Sequence, residues 1–220
     1  MQPQLQFPNK SHRKNIIYPA DSTELAELMG IIFGDGGINN GWQLTISLNS
    51  IADKDYSLYV ASLLKKLFSL NVAIRKRPNQ NTLVLVCSST SLIDFLVTKG
   101  AVKGNKIKAQ IDIPSWIKQN SEYVKAFIKG AVDTDGCLFI HKHRIRGKTY
   151  SNLGFCFTSL SEPLINSIAE VFIQEEIKPH ITQDGSRIYL YSQRSVLEYM
   201  NIFSSSNPRI TDKLYNWRGV

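Results

Sequence analysis

Leu28-Met29-Gly30-Ile31-Ile32-Phe33-Gly34-Asp35-Gly36 has a counterpart in Ile128-Lys129-Gly130-Ala131-Val132-Asp133-Thr134-Asp135-Gly136, and Asp135 follows Asp35 by 100 positions. Each run closes an apolar helical stretch. The first is entered through Asp21-Ser22-Thr23-Glu24, with Glu three residues after Asp as in a capping box, and the second near Asn120-Ser121. They stop at Gly36 and Gly136. Gly30 and Gly34, four apart, share a helical face, as do Gly130 and Thr134, so each helix offers a low ridge to another backbone. One Asp-Gly pair at a helix end is an ordinary turn. Two copies on matching helices predict that the helices pack on each other. Pseudo-twofold packing then sets Asp35 and Asp135 side by side at two helix C-termini. Two carboxylates about 5 Å apart repel by roughly 3 kcal/mol at an effective dielectric of about 20, and the helix dipoles add negative potential. A cation belongs there. A hard divalent ion such as Mg²⁺ takes oxygen ligands, which two carboxylates and the carbonyls of the last helical turn supply.

The elements after each motif repeat as well. Gly36 is succeeded by an Asn40-Gly41 turn and an alternating strand from Trp42 to Asn49, then a helix over 53–68 with an apolar face of Leu58, Tyr59, Leu63, Leu64, Leu67 and Phe68. Strands over 72–77 and 82–88 and a helix over 91–97 end the half. The second half matches it. Strands run over 138–146 and 151–158, and a helix N-capped by Ser161, with Pro163 in its first turn, reaches Gln174. Strands over 178–183 and 187–193 flank an Asp184-Gly185 turn, and Ser195-Val196-Leu197-Glu198 reads as a capping box opening the last helix. The predicted class is α+β: two pseudo-symmetric αββαββα repeats forming curved antiparallel sheets, with the two motif helices at the interface. The chain divides into an N-terminal extension (1–19), a first repeat (20–100), a basic linker lying on the surface (101–119, with Lys103, Lys106, Lys108 and Lys118), a second repeat (120–206) and a C-terminal tail (207–220).

The 220 residues are 43% hydrophobic and 10% aromatic, enough to build a core, which excludes a disordered chain or a disulfide miniprotein. Lys and Arg number 26 against 18 Asp and Glu, a net charge of +8 that points to an anionic partner. Cys87, Cys137 and Cys156 are an odd, scattered set without a CxxC pair, which predicts a reducing compartment and no disulfide framework. The N-terminal MQPQLQFPNKSHRKN has no apolar signal region and no stretch reaches membrane-spanning length, so a cytoplasmic protein is expected: nucleoid-associated if prokaryotic, in an organelle matrix if organelle-encoded.

The paired nine-residue segments resemble the two copies of the motif that names the LAGLIDADG homing endonuclease family, in its single-chain form, and the repeated element order extends the resemblance over nearly the whole chain. The resemblance implies that Asp35 and Asp135 are the metal-binding and catalytic acidic residues, with the carbonyls of Gly34 and Thr134 as secondary ligands. It implies Mg²⁺, with Mn²⁺ as a substitute. Phe33 and Asp133 occupy the variable sixth motif position, so Asp133 is not a required ligand. The family's basic residues beside the scissile phosphates often stand at the end of the first hairpin's second strand, where this chain has Leu48-Asn49 and Thr158-Ser159, neither of them basic. Arg75, Lys76 and Arg77 in one half, with Lys178 and His180 in the other, are the remaining candidates.

A strand of about 7 residues at about 3.3 Å spans roughly 23 Å. At about 3.4 Å per base pair that covers about 7 base pairs per half, so a long asymmetric double-stranded DNA target is expected. Gln43, Thr45, Ser47 and Asn49 form the outward row of the first hairpin, short polar groups able to read base edges. Lys142, Arg144 and Arg146, with Lys148 in the turn, are read as the equivalent row of the second half. His141 and His143 fall on the opposite face near Cys137 and Cys156; their spacing fits no common zinc pattern, and core packing of Phe139, Phe155 and Phe157 is the preferred reading. Tyr189 and Tyr191 alternate with Leu190 as in a half-buried strand.

Family resemblance thus implies a monomeric, Mg²⁺-dependent endonuclease that hydrolyses one phosphodiester on each DNA strand across the minor groove and leaves 3′ overhangs. An RNA-binding intron maturase and a non-catalytic DNA-binding regulator on the same scaffold are the alternatives. A Met start and an end shortly after the second repeat favour an intron-encoded or free-standing reading frame over an intein.

Overall fold

The computed structural model describes residues 12–218. Parts of the expected extension and tail, residues 1–11 and 219–220, and the His143, Ile145 and Arg218 side chains lie outside the described residues. The first repeat comprises α1 (Thr23–Phe33), β1 (Gly36–Asn40), β2 (Gln43–Asn49), α2 (Lys54–Phe68), β3 (Ala73–Lys76), β4 (Thr82–Ser88) and α3 (Thr90–Thr98). After a short α4 (Ser115–Lys118), the second comprises α5 (Ser121–Asp135), β5 (Gly136–Ile145), β6 (Lys148–Thr158), α6 (Glu162–Gln174), β7 (His180–Ile181), β8 (Arg187–Leu190) and α7 (Gln193–Ile202). α8 (Pro208–Arg218) comes last. The two antiparallel sheets have the same strand order, β1-β2-β4-β3 and β5-β6-β8-β7. The α+β class and its pseudo-symmetric repeat are therefore as predicted.

Leu25 through Phe33 are all buried, so α1 is an interior helix rather than an amphipathic one. Its principal helix partner is α5. The small residues explain how close the two come. A Cβ on Gly30 would stand 2.0 Å from the Phe127 carbonyl oxygen, and one on Gly130 would stand 2.1 Å from that of Glu27. The ridges predicted from spacing are the contact itself. Glu27 is buried beside it, where it accepts from the Tyr59 hydroxyl at 2.7 Å and pairs with Lys129 at 3.2 Å.

Several local readings are corrected. Ser22, not Asp21, caps α1 by accepting from the Leu25 N–H at 3.2 Å, while Asp21 pairs with Lys99. Ser192 caps α7 by accepting from the Ser195 N–H at 3.0 Å, so the helix begins before the predicted Ser195 box and Glu198 pairs with Arg194. Ser161 occupies the N-cap of α6, but its hydroxyl donates to the Ile111 carbonyl. The segment 101–119 does not simply lie on the surface. Ala101, Ile111, Ile113 and Ile117 are buried in the core, and the Gly104 N–H donates to the Ile38 carbonyl at 2.8 Å. Residues 208–218 of the expected tail form α8, which buries Ile210 and Leu214 and packs on β5. Among the described residues, no helix is long and apolar enough to cross a membrane.

Candidate active site and nucleic-acid interface

α1 ends at Phe33, with the Gly34 N–H closing the last turn on the Gly30 carbonyl at 3.0 Å, and Asp35 follows before β1 begins. The Asp35 carbonyl accepts from the Ser47 N–H at 3.1 Å, which ties this junction to β2. α5 runs through Asp135, and the Gly136 N–H bonds back to the Val132 carbonyl. A Cβ on Gly34 would stand 1.9 Å from Thr134 Oγ1 and 3.3 Å from Asp135 Oδ2. The two motif ends therefore touch, and the two carboxylates share one site at the junction of the repeats.

Each motif end meets its own cation. Lys106 Nζ donates to the carbonyls of Ile32 at 3.0 Å and Phe33 at 2.9 Å, and to that of Gly34. Arg209 Nη1 donates to the Gly136 carbonyl at 2.9 Å, and its Nη2 donates to those of Asp133 at 3.2 Å and Thr134 at 3.4 Å. Free carbonyls at a helix C-terminus attract positive charge, and these two side chains supply it. Gly34 and Thr134, the expected secondary ligands, already use one carbonyl lone pair each; a carbonyl oxygen carries a second. Two grooves flank the pair. One is lined by Gly34, Lys106, Asp135, Thr158 and Ser159, the other by Asp35, Ser47, Asn49, Asp53, Asp135 and Arg209. The non-basic ends of the two hairpins thus line the grooves as the repeat pattern suggests, while the basic groups come from segments beyond each repeat.

Sequence reasoning placed Lys106 on a surface linker and Arg209 in a tail. The signal that finds them is the repeat carried past its third helix: Asn105-Lys106-Ile107 parallels Pro208-Arg209-Ile210. Two further residues were missed. Asn207, fully buried, donates from Nδ2 to Asp53 Oδ1 and to the Asp133 carbonyl, each at 2.8 Å. Asp53 accepts from Arg209 Nε at 2.9 Å and, through Oδ2, from the Asn49 N–H at 3.1 Å. Asp53 thus aims the guanidinium and holds the end of β2. Asp133 turns away from the pair: its carboxylate accepts from the Ser205 hydroxyl and from the Ser206 N–H at 2.8 Å, anchoring the approach to α8. Arg209→Met is expected to lower stability by about 2–3 kcal/mol, because it strands the buried Asp53 carboxylate. In chemical denaturation, Arg209→Met/Asp53→Asn should recover at least about 1 kcal/mol of that loss.

Burial, then the charges of Asp135 and Asp53, pushes the Asp35 carboxyl up to about 7. Burial likewise raises Asp135 to about 6, opposed by Lys106 and Arg209. Burial lowers Lys106, opposed by the two aspartates. Asp133 rises to about 7 through burial. A carboxyl raised in the folded state binds a proton there that the unfolded chain has already released. Stability in chelator should therefore be full below about pH 4 as far as these groups are concerned, decline as pH rises, and level off above about pH 7. Asp35→Asn should reduce the decline by about 2 kcal/mol, after discounting for solvent screening. Denaturant titrations at pH 5 and pH 8 measure it; an unchanged difference between the two pH values in Asp35→Asn would refute the assignment.

The sheet registers decide which side chains face outward. In the first repeat Leu44, Ile46 and Leu48 point into the core and Gln43, Thr45, Ser47 and Asn49 away from it, as predicted. Gln43 Nε2 donates to Ser88 Oγ at 3.3 Å, and Asn49 Oδ1 accepts from the N–H groups of Ile51 at 2.9 Å and Ala52 at 3.0 Å. Arg75 lies opposite Val84, itself opposite Ser47, so it joins this outward row. Lys76 has the other parity, and Arg77 sits at the turn, donating its N–H to the Thr82 carbonyl at 2.9 Å.

In the second repeat the predicted face is reversed. Leu138 pairs with Phe155 on the core side, and Lys142 and Arg144 share its parity, beyond the end of the core and exposed. Arg146 leaves the strand at φ 46°, and Lys148 opens β6. The strand equivalent to β2 is β6, and its row corresponding to Gln43–Asn49 contains Asn152, Gly154, Cys156 and Thr158; Cys137, Phe139 and His141 of β5 lie opposite Cys156, Gly154 and Asn152 on the same face. Phe139 therefore does not pack with the buried Phe155 and Phe157; it lies over Gly154 and meets Tyr189 edge-on at 6.1 Å. Tyr189 and Tyr191 stack at 5.3 Å, and the His180 ring lies 5.6 Å from Tyr191 on the same face. Lys178 instead lines a separate groove with Ile173, Arg194 and Glu198. The sequence reading went wrong because the charges alternate as regularly as a true outward row; only pairing with β6 shows which parity is covered. Among the described residues, no three His, Cys, Asp or Glu side chains converge as a metal site.

No protein-family model matches the chain, and the search of curated proteins finds no match. Solved structures do match. The I-LtrWI LAGLIDADG homing endonuclease bound to target DNA superposes with a TM-score of 0.60 at 13% identity, covering 88% of each chain. The LAGLIDADG meganuclease I-AabMI bound to uncleaved DNA gives 0.61 at 12% identity, over 88% of this chain and 89% of that one. Mesophilic variants of the homing endonuclease I-DmoI give 0.57 at 17% identity, over 83% and 96%. The paired motif helices, the matching sheets and this agreement along nearly the whole length establish that the chain has the fold of the single-chain, two-repeat LAGLIDADG homing endonucleases.

Proposed function

We propose that the chain is a monomeric, site-specific DNA endonuclease that uses a divalent metal, Mg²⁺ or Mn²⁺, to hydrolyse one phosphodiester on each strand, leaving 3′ overhangs. The observation that carries the reading is the carboxylate pair Asp35 and Asp135 at the meeting of the two motif helices, with a cation on each side. The structures it resembles are described as bound to target, uncleaved and cleaved DNA. The site fits a hard cation: burial raises both carboxyls and the charge of Asp135 raises Asp35 further, the condition that a bound divalent ion relieves. Asp35 and Asp135 would hold it, helped by the free lone pairs of the Gly34 and Thr134 carbonyls. When bound, it polarises the phosphoryl oxygens and acidifies bound water.

The chain's own groups do the positioning. Lys106 and Arg209 place one cation in each groove, able to neutralise a phosphate on each strand. The hairpin ends, Asn49 and Ser159, offer polar contacts to the same phosphates. Neither groove is lined by a histidine; their titratable side chains are Asp35, Asp53, Asp135, Lys106, Cys137 and Arg209. The outward rows, polar in the first repeat and aromatic with His141 and His180 in the second, give two unlike surfaces and hence an asymmetric target.

The test is incubation with a randomised duplex library in Mg²⁺, with the cut ends then sequenced. One enriched asymmetric site with 3′ overhangs, from a protein that is monomeric by light scattering, is the expected result. Specific duplex binding with no cut in either Mg²⁺ or Mn²⁺ would overturn the reading.

A further inference from the structure

Cys137 and Cys156 stand directly opposite each other in the β5–β6 ladder. Opposed residues of an antiparallel pair have Cα atoms about 4.5–5.5 Å apart, inside the roughly 4.4–6.8 Å span of a disulfide, with both side chains on one face. Cys137 is exposed and Cys156 buried, so one sulfur is open to a solution oxidant and the other waits beside it. Cys156 Sγ also lies 3.8 Å from Thr158 Oγ1. Cys87 is buried on the core side of β4 in the other repeat and is no partner for either. Cys137 borders the groove that holds Asp35, Asp135 and Arg209.

We propose that Cys137 and Cys156 form a reversible disulfide and that its formation slows the cleavage reaction. The chemistry stands on the geometry alone; the consequence for cleavage rests on the proposed function. With a low-molecular-weight disulfide such as oxidised glutathione as the oxidant, the exposed Cys137 sulfur gives up its proton and attacks one of the oxidant's sulfurs. A mixed disulfide forms and one glutathione leaves. Cys156 then attacks the Cys137 sulfur and releases the second glutathione, so two protein thiols are oxidised as one glutathione disulfide is reduced. The final S–S bond is about 2 Å long. The cross-link ties to β6 the residue immediately after Gly136, whose carbonyl Arg209 holds and whose predecessor is Asp135, and so fixes the strand that leaves the carboxylate pair. A switch of this kind fits a chain kept reduced in its normal surroundings, where disulfides are transient and serve as sensors.

The test equilibrates the full chain in graded mixtures of reduced and oxidised glutathione, alkylates free thiols in denaturant, and reads intact mass and linked peptides. Wild type should pass from three alkylated thiols to one, Cys87, with a 137–156 linked peptide. Cys156→Ser should stop at a glutathione adduct on Cys137, and Cys137→Ser should keep both remaining thiols. The ratio of oxidised to reduced cleavage rate, taken within each protein, should fall at least about fivefold in wild type, return with dithiothreitol, and stay near one in Cys137→Ser. Three thiols persisting in excess oxidised glutathione, or a linkage through Cys87, would overturn the chemistry. A disulfide that leaves the rate ratio near one would overturn its regulatory consequence. If the reduced chain cuts no duplex, the nuclease reading fails and the mass data alone judge the disulfide.

Discussion

Asp35→Asn/Asp135→Asn is expected to cleave the mapped duplex at least about 10³-fold more slowly than wild type while binding it with similar affinity. The substitution keeps the size and shape of both side chains and removes the two hard anionic oxygens that make the site attractive to a divalent cation. A 10³-fold loss corresponds to about 4 kcal/mol of transition-state stabilisation, within the range a metal supplies to a phosphoryl transfer. Misfolding does not account for such a loss, because burial works against both carboxylates in the wild-type fold and the charge of Asp135 works further against Asp35. In chelator at pH 8 the double variant should therefore melt higher than wild type. Mg²⁺ should raise the wild-type melting temperature and leave the variant's unchanged. Single-turnover cleavage, duplex binding in Ca²⁺ and thermal melts in chelator or Mg²⁺ make the comparison. A variant that still cuts within tenfold of wild type would remove the aspartates from the reaction.

Gly130→Ala is expected to destabilise the protein by about 3 kcal/mol or more, with a melting temperature lower by about 6–12 °C. The added methyl would stand 2.1 Å from the Glu27 carbonyl oxygen and 3.0 Å from the Ile31 nitrogen, so it meets backbone that has no rotamer to yield. Gly30→Ala meets the mirror-related obstacle, the Phe127 carbonyl oxygen at 2.0 Å and the Ala131 nitrogen at 2.8 Å. Both changes push on one contact. Their combined effect should therefore be smaller than the sum of the two, since helices already forced apart by one methyl accommodate the second at less cost. Any movement also separates Asp35 from Asp135, so cleavage should fall further than the fraction of folded protein explains. Denaturation curves and rates corrected for folded fraction test this; a loss below about 1 kcal/mol for Gly130→Ala would contradict the packing.

Most of the first repeat was legible because its patterns are local. The outward row Gln43, Thr45, Ser47 and Asn49 comes from alternation, the strand over 82–88 from an apolar run after a turn, and α2 from its apolar residues, although Leu58, read as part of the apolar face, is exposed and Tyr56 and Val60 are buried instead. The second hairpin was legible as a hairpin but not in its facing. The run of β5 past the core leaves Lys142 and Arg144 exposed on the parity that Leu138 buries lower down, so exposure there does not mark the outer face. Helix starts shifted at Ser22 and Ser192, where neighbouring Asp21 and Ser195 offer equally good capping chemistry and tertiary pairing decides between them.

By itself the sequence determined the two-repeat α+β architecture, the glycine contact between motif helices and the placing of two aspartates at its end. These are properties of spacing: small residues four apart share a face, and a duplicated segment that ends alike must end in the same place. Only the tertiary structure decided which cations serve the pair. Lys106 and Arg209 lie in stretches without periodicity, 71 and 74 residues beyond the aspartates they approach, and their partners are mostly main-chain carbonyls that no residue type advertises. Asp53 and Asn207, 154 positions apart, meet for the same reason. Helix ends draw positive charge wherever the chain can bring it, and where the chain returns is set by packing of the whole fold.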